Sequence, residues 1–146
     1  MAYANLGATL ANSGHNVEAA QWLLEAKERY PVGSEDWARA TAEAFDMLVR
    51  LECAEVAKPE WWNDEELKAL SARVVRAAPD DEAANEMRAN VLAGQFATWE
   101  AGPRSAAELM EAATHLDRGA ALLSAPAVKA QLAGNAACCR ATAEAM

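Results

Sequence analysis

YANLGATLANSGHNVEAAQWLLEAKERYP, residues Tyr3 to Pro31, is the stretch on which the reading of this chain turns. It holds two helical runs with a break at Gly14, His15 and Asn16. Asn16 suits the cap of the second run, because its side-chain oxygen can accept from an unpaired amide of the first turn. Gly7 sits one turn into the first run. Glycine inside a helix costs about 1 kcal/mol relative to alanine, so a close approach of two helices is the expected reason for it.

Composition extends this reading to the whole chain. Alanine supplies 38 of the 146 residues, with no isoleucine and only 8 valines. Alanine is the strongest helix former, whereas β-branched residues favour strands. An all-α protein without a sheet is expected, in a single domain over 1–146. Its core should be thin and spread along the chain, filled by Leu, Met and Trp.

Further helix limits follow from local chemistry. Tyr30-Pro31-Val32-Gly33-Ser34 closes the second run, and Ser34 caps a third that extends to about Ala57. Lys58-Pro59-Glu60 closes that run. In WWNDEEL, Asn63 and Glu66 have the spacing of a variant capping box, and Trp62 can staple onto Leu67. This fourth helix runs to Ala78, and Pro79-Asp80-Asp81 opens a fifth. Ser105 and Glu108 form a capping box for a sixth, and Ser124-Ala125-Pro126 starts a seventh. GQFATWEAG, 94–102, reads as a loop or a frayed continuation of the fifth helix.

The net charge of −9 argues against nucleic acid and against anionic membrane surfaces, and favours neutral to basic protein partners. No run is long and apolar enough for a membrane span. The N-terminal stretch has no basic region of the kind that opens a signal peptide. It also has no residue to cap its first helix, so the chain either is a fragment or begins inside the fold. Cys53, Cys138 and Cys139 are odd in number and lack framework spacing, which fits a reducing, intracellular compartment, the cytoplasm first. His15 and His115 are not in metal-ligand spacing, and no nucleotide or hydrolase fingerprint occurs. The carboxylates cluster at helix starts, where backbone amides account for them. Neither an enzyme nor a cofactor or metal site is expected.

The spacing Tyr3-x2-Leu6-Gly7-x2-Leu10, then Ala19-x3-Leu23, Ala26 and Pro31, resembles the tetratricopeptide repeat (TPR), a 34-residue helix-turn-helix unit. Leu6, Gly7, Ala19 and Pro31 match outright, and Tyr3, Leu10 and Leu23 take aromatic places. Trp37 follows Tyr3 by 34 residues and opens a second, degenerate unit. Its closing proline is Pro79, 48 residues after Pro31. A third unit begins near Asn85, and its second helix contains Ala106, Met110 and Ala113 in the repeat spacing. The resemblance implies a TPR-like α-solenoid of antiparallel helix-hairpin repeats, about three pairs plus a C-terminal capping helix. It places Gly7, Ala19 and Ala26 where the helices of a pair touch.

The same resemblance implies a protein-interaction module or scaffold whose concave face is built from the first helix of each pair. That face carries Ala4, Ala8, Ala11 and Asn12, then Ala38, Ala42, Phe45 and Asp46, then Glu86 and Asn90. Members that hold acidic chaperone tails use Lys, Arg and Asn there. This face has no lysine or arginine, so a neutral or basic peptide or helix fits better. The rival expectation is a structural subunit or spacer in a larger assembly, contacting through the convex face, the WW turn or the 94–102 loop. Trp61 and Trp99 would then be the partner anchors. A small-molecule or enzyme role would need a deep pocket with convergent polar groups.

Overall fold

The computed structural model describes residues 16–49, 59–96, 98–123 and 125–146, and among these there is no strand. Six helices follow in order: α1 (Asn16–Arg29), α2 (Glu35–Leu48), α3 (Asp64–Ala77), α4 (Glu82–Ala93), α5 (Ala106–Leu122) and α6 (Pro126–Glu144). The expected first helix and its Gly7 contact, Ala8, Asn12, and the 50–57 end of the expected long run lie outside the described residues.

Helix starts follow the caps. The Ser34 hydroxyl accepts from the Trp37 amide at 3.1 Å, and Asn63 Oδ1 accepts from the Glu66 amide at 2.9 Å. Asp81 accepts from the Ala84 amide at 3.0 Å. At α5 the box is reciprocal: Ser105 Oγ accepts from the Glu108 amide, and Glu108 Oε1 accepts from the Ser105 amide. Pro126 opens α6 without a side-chain cap, because its fixed φ already suits a first helical position. Gly94 ends α4 at φ +64°, a left-handed conformation that favours glycine. The stretch after it is a loop rather than frayed helix.

Each helix packs against the next in sequence, and α2 also packs against α4. The links 30–34, 78–81 and 123–125 are short, so α1/α2, α3/α4 and α5/α6 are helical hairpins. Alanines make close approach possible. Ala19, Ala20 and Ala26 of α1, and Ala38, Ala40 and Ala44 of α2, are fully buried. Two apolar clusters result. The larger joins α1 to α4 around Trp37, Phe45, Leu48, Trp62, Leu67, Val74 and Trp99. The smaller joins α4 to α6 through Ala89, Leu92, Ala112, Leu116, Leu132, Ala136 and Cys139. Helix α4 faces both, with Met87 and Val91 in the first and Ala89 and Leu92 in the second.

Candidate functional site

Helices α2 and α4 bring together the charged residues expected on the concave face. Asp46 is exposed near the end of α2, and Glu86 and Asn90 are half-buried on α4. The charge of Asp46 acts on both Glu43 and Glu86, and Glu82 and Asp81 add to the field at Glu86. Burial, then the charges of Asp46, Glu82 and Asp81, push the Glu86 carboxyl above the usual range. Its stem runs over α5: a Cβ built on Gly119 would stand 3.7 Å from Glu86 Cγ. Glycine at that position leaves room for the stem.

Glu43 was not singled out from the sequence, and it carries the larger perturbation. Burial first, then Asp81, with Asp46 adding and Arg39 opposing, lifts its carboxyl to about 7. Arg39 is engaged elsewhere, with Glu35 at 2.5 Å and with Asp81 at 3.2 Å. Between the ordinary carboxyl value and 7 the folded state therefore binds more protons than the unfolded chain, and stability falls as pH rises through that window. Glu43→Gln should raise stability at pH 8 by about 1–2 kcal/mol, solvent screening allowed for, and leave it nearly unchanged at pH 5. Urea unfolding at the two pH values measures this, and an equal effect at both would contradict it.

The apolar part of the expected face is placed differently. Ala38, Ala42 and Phe45 are at most 1% exposed. Phe45 lies in a ring cluster, 5.3 Å from Trp62 and 5.9 Å from Trp99, centroid to centroid. It fills the core instead of offering a groove contact, because the WW turn and the 94–102 loop both fold onto α2. The α2–α4 face is therefore acidic and polar.

The two tryptophans expected as alternative anchors also separate. Trp99 is 7% exposed and donates from Nε1 to Asp64 at 3.0 Å. It belongs to the core and is not an external anchor. Trp61 is half-buried, 5.7 Å from Trp62, with Lys27 Nζ 5.5 Å from its ring centre. Trp62 is buried, as a staple would be, and donates to the Thr98 carbonyl at 3.0 Å.

An ion pair anchors the end of the loop, residues 102–104, beside Asp64. Arg104 donates to both Asp64 oxygens, at 2.9 and 2.5 Å, and to the carbonyls of Leu92 and Val91 at 2.8 and 2.9 Å. The Gly102 amide also donates to Asp64, at 3.0 Å. The hydrogen bonds of Arg104, then those of Gly102 and Trp99, outweigh burial and hold the Asp64 carboxyl far below the usual range.

A second buried network ties α3, α4 and α5. Asn85 donates from Nδ2 to the Pro79 and Asp81 carbonyls, both at 2.9 Å, so its Oδ1 accepts from His115 Nδ1 at 2.9 Å. Arg88 bridges the Ser71 hydroxyl, the Lys68 carbonyl and Glu111. Burial lowers the His115 pKa, with Glu111, 3.4 Å from Nε2, opposing. This histidine therefore has a packing and hydrogen-bonding role.

Among the described residues no group of three or more His, Cys, Asp or Glu side chains is placed to hold a metal ion. Cys138 is exposed and Cys139 buried, on different sides of α6. No described helix is long and apolar enough to cross a membrane. No family model, curated protein or solved structure matches the chain at a significant level.

Proposed function

We propose that the chain is a TPR-like array of helical hairpins that acts as a non-catalytic protein-interaction module or scaffold, with a basic segment of its partner lying across α2 and α4. The observation that carries this reading is the convergence of Glu43, Asp46, Glu82 and Glu86 on two helices that pack together. Carboxylates whose charges oppose one another are eased by an incoming cation, and Asn90 offers a neutral hydrogen-bonding group beside them. In the repeat register α2 and α4 open successive units, paired with α3 and α5 across the longer links and not within the short-linked hairpins, and first helices of successive repeats would make this contact.

A labelled lysine-rich peptide, followed by fluorescence anisotropy at low salt, tests the site. The double variant Asp46→Lys/Glu86→Lys should weaken binding at least tenfold. Glu28→Lys/Glu144→Lys changes the net charge equally at exposed positions of α1 and α6 and should leave binding within about twofold. Equal losses in both variants would reduce the interaction to overall charge and overturn the site.

The alternative of a structural subunit draws on the last hairpin. Met110, Leu122 and Val128 are 42%, 44% and 40% exposed there, apolar surface that an assembly would cover.

A further inference from the structure

A cleft of about 230 Å³ opens between the end of α1, the 31–34 turn, the start of α2 and one side of α3. Its wall holds Trp37 and Trp61, the aliphatic side chains of Val32 and Leu70, and the cations Lys27 and Arg73. The volume lies below the roughly 300–1,000 Å³ of pockets for drug-sized ligands. It suits one small group and is too small for a helix or an extended peptide.

Both cations are placed by rings. Lys27 Nζ stands 5.5 Å from the centre of the Trp61 ring, and the Arg73 guanidinium stands 5.5 Å from that of Trp37. The Lys27 side chain is only 13% exposed, yet the carboxylate it pairs with, Glu28 at 3.5 Å, is 76% exposed and worth little. Trp37 is 1% exposed, and its buried Nε1 has no hydrogen-bond partner among the described residues, which is uncommon for a buried indole. Positive charge and apolar wall thus meet in one cleft of a strongly acidic protein.

We propose that this cleft binds a small monocarboxylate with a branched aliphatic or aromatic body. The carboxylate lies between Lys27 and Arg73, while the apolar body rests on Val32 and Leu70. Glu66 on the same wall repels a second negative charge, so dicarboxylates and phosphates are disfavoured. None of these residues belongs to the α2–α4 face, so either site stands if the other fails.

The test is a titration of ¹⁵N-labelled protein with 4-methylpentanoate and, separately, its neutral amide, followed by the indole N–H signals of the five tryptophans. The acid should shift the Trp37 and Trp61 signals saturably at low-millimolar concentration, and the amide should bind at least tenfold more weakly. Arg73→Gln and Lys27→Gln should each weaken the acid about tenfold, the loss of one charge-assisted hydrogen bond. Arg73 is exposed, so that variant keeps its fold and the comparison its meaning. Equal binding of acid and amide, no saturable shift, or unchanged affinity in Arg73→Gln would overturn the proposal.

Discussion

Asp64→Ala should lose about 3–5 kcal/mol of stability, the largest effect expected of a single polar side chain here. The Arg104 side chain is 7% exposed, and Asp64 is the carboxylate that compensates it. Removing that carboxylate leaves a buried guanidinium supported by the carbonyls of Val91, Leu92 and Gly102 alone. Trp99 Nε1 and the Gly102 amide lose their acceptor in the same step. Asp64→Asn keeps an acceptor without the charge and should lose about half as much. The double variant Asp64→Leu/Arg104→Met removes the uncompensated charge and should recover more than half of the loss, since buried pairs exchange well for apolar groups of similar shape. Urea midpoints of the four proteins decide the matter, and a loss under about 1 kcal/mol for Asp64→Ala would show that the pair does not hold the loop. The pH dependence has a definite sign. The folded pKa of Asp64 is depressed, so its contribution is complete above the ordinary carboxyl value and is lost as pH falls toward the folded one.

Trp62→Ala is the second large effect, about 3–5 kcal/mol. Trp62 is 9% exposed and lies within 6 Å of three other rings, those of Phe45, Trp61 and Trp99. Its removal opens a cavity between α2, the WW turn and the 94–102 loop and frees the Thr98 carbonyl. Trp62→Phe restores ring packing but not the hydrogen bond and should lose about 1–2 kcal/mol. Trp61→Ala, at a half-buried ring, should lose about 1 kcal/mol. Equal losses at Trp61 and Trp62 would show that the cluster does not depend on the buried ring.

The helix starts were legible because each is decided within four residues. Ser34, Asn63, Ser105 and Pro126 act on the backbone of their own first turn, so their spacing is enough. The fate of the 94–102 loop was not legible for the opposite reason. Arg104 and Asp64 lie 40 residues apart, and nothing in either neighbourhood announces the other. Trp99 read as an outward anchor, and its hydrogen bond to Asp64 within this ion pair keeps it in the core. Phe45 illustrates a related limit. A repeat register locates it on a helix face, but only the folding of two loops onto that face decides that water never reaches it. Asp46 and Glu86 were found from the same register. Glu43 was missed because its perturbation comes first from burial in the folded packing and then from Asp81, which caps a different helix.

The division of the apolar interior has a mechanical consequence. The five clustered Phe and Trp rings, Phe45, Trp61, Trp62, Phe96 and Trp99, all belong to or pack against the α1–α4 cluster, whereas the α4–α6 layer is joined by alanine, leucine and one cysteine. A pull on the end of α6 would peel that layer away first, at low force, and the aromatic block would resist as a separate and stiffer unit.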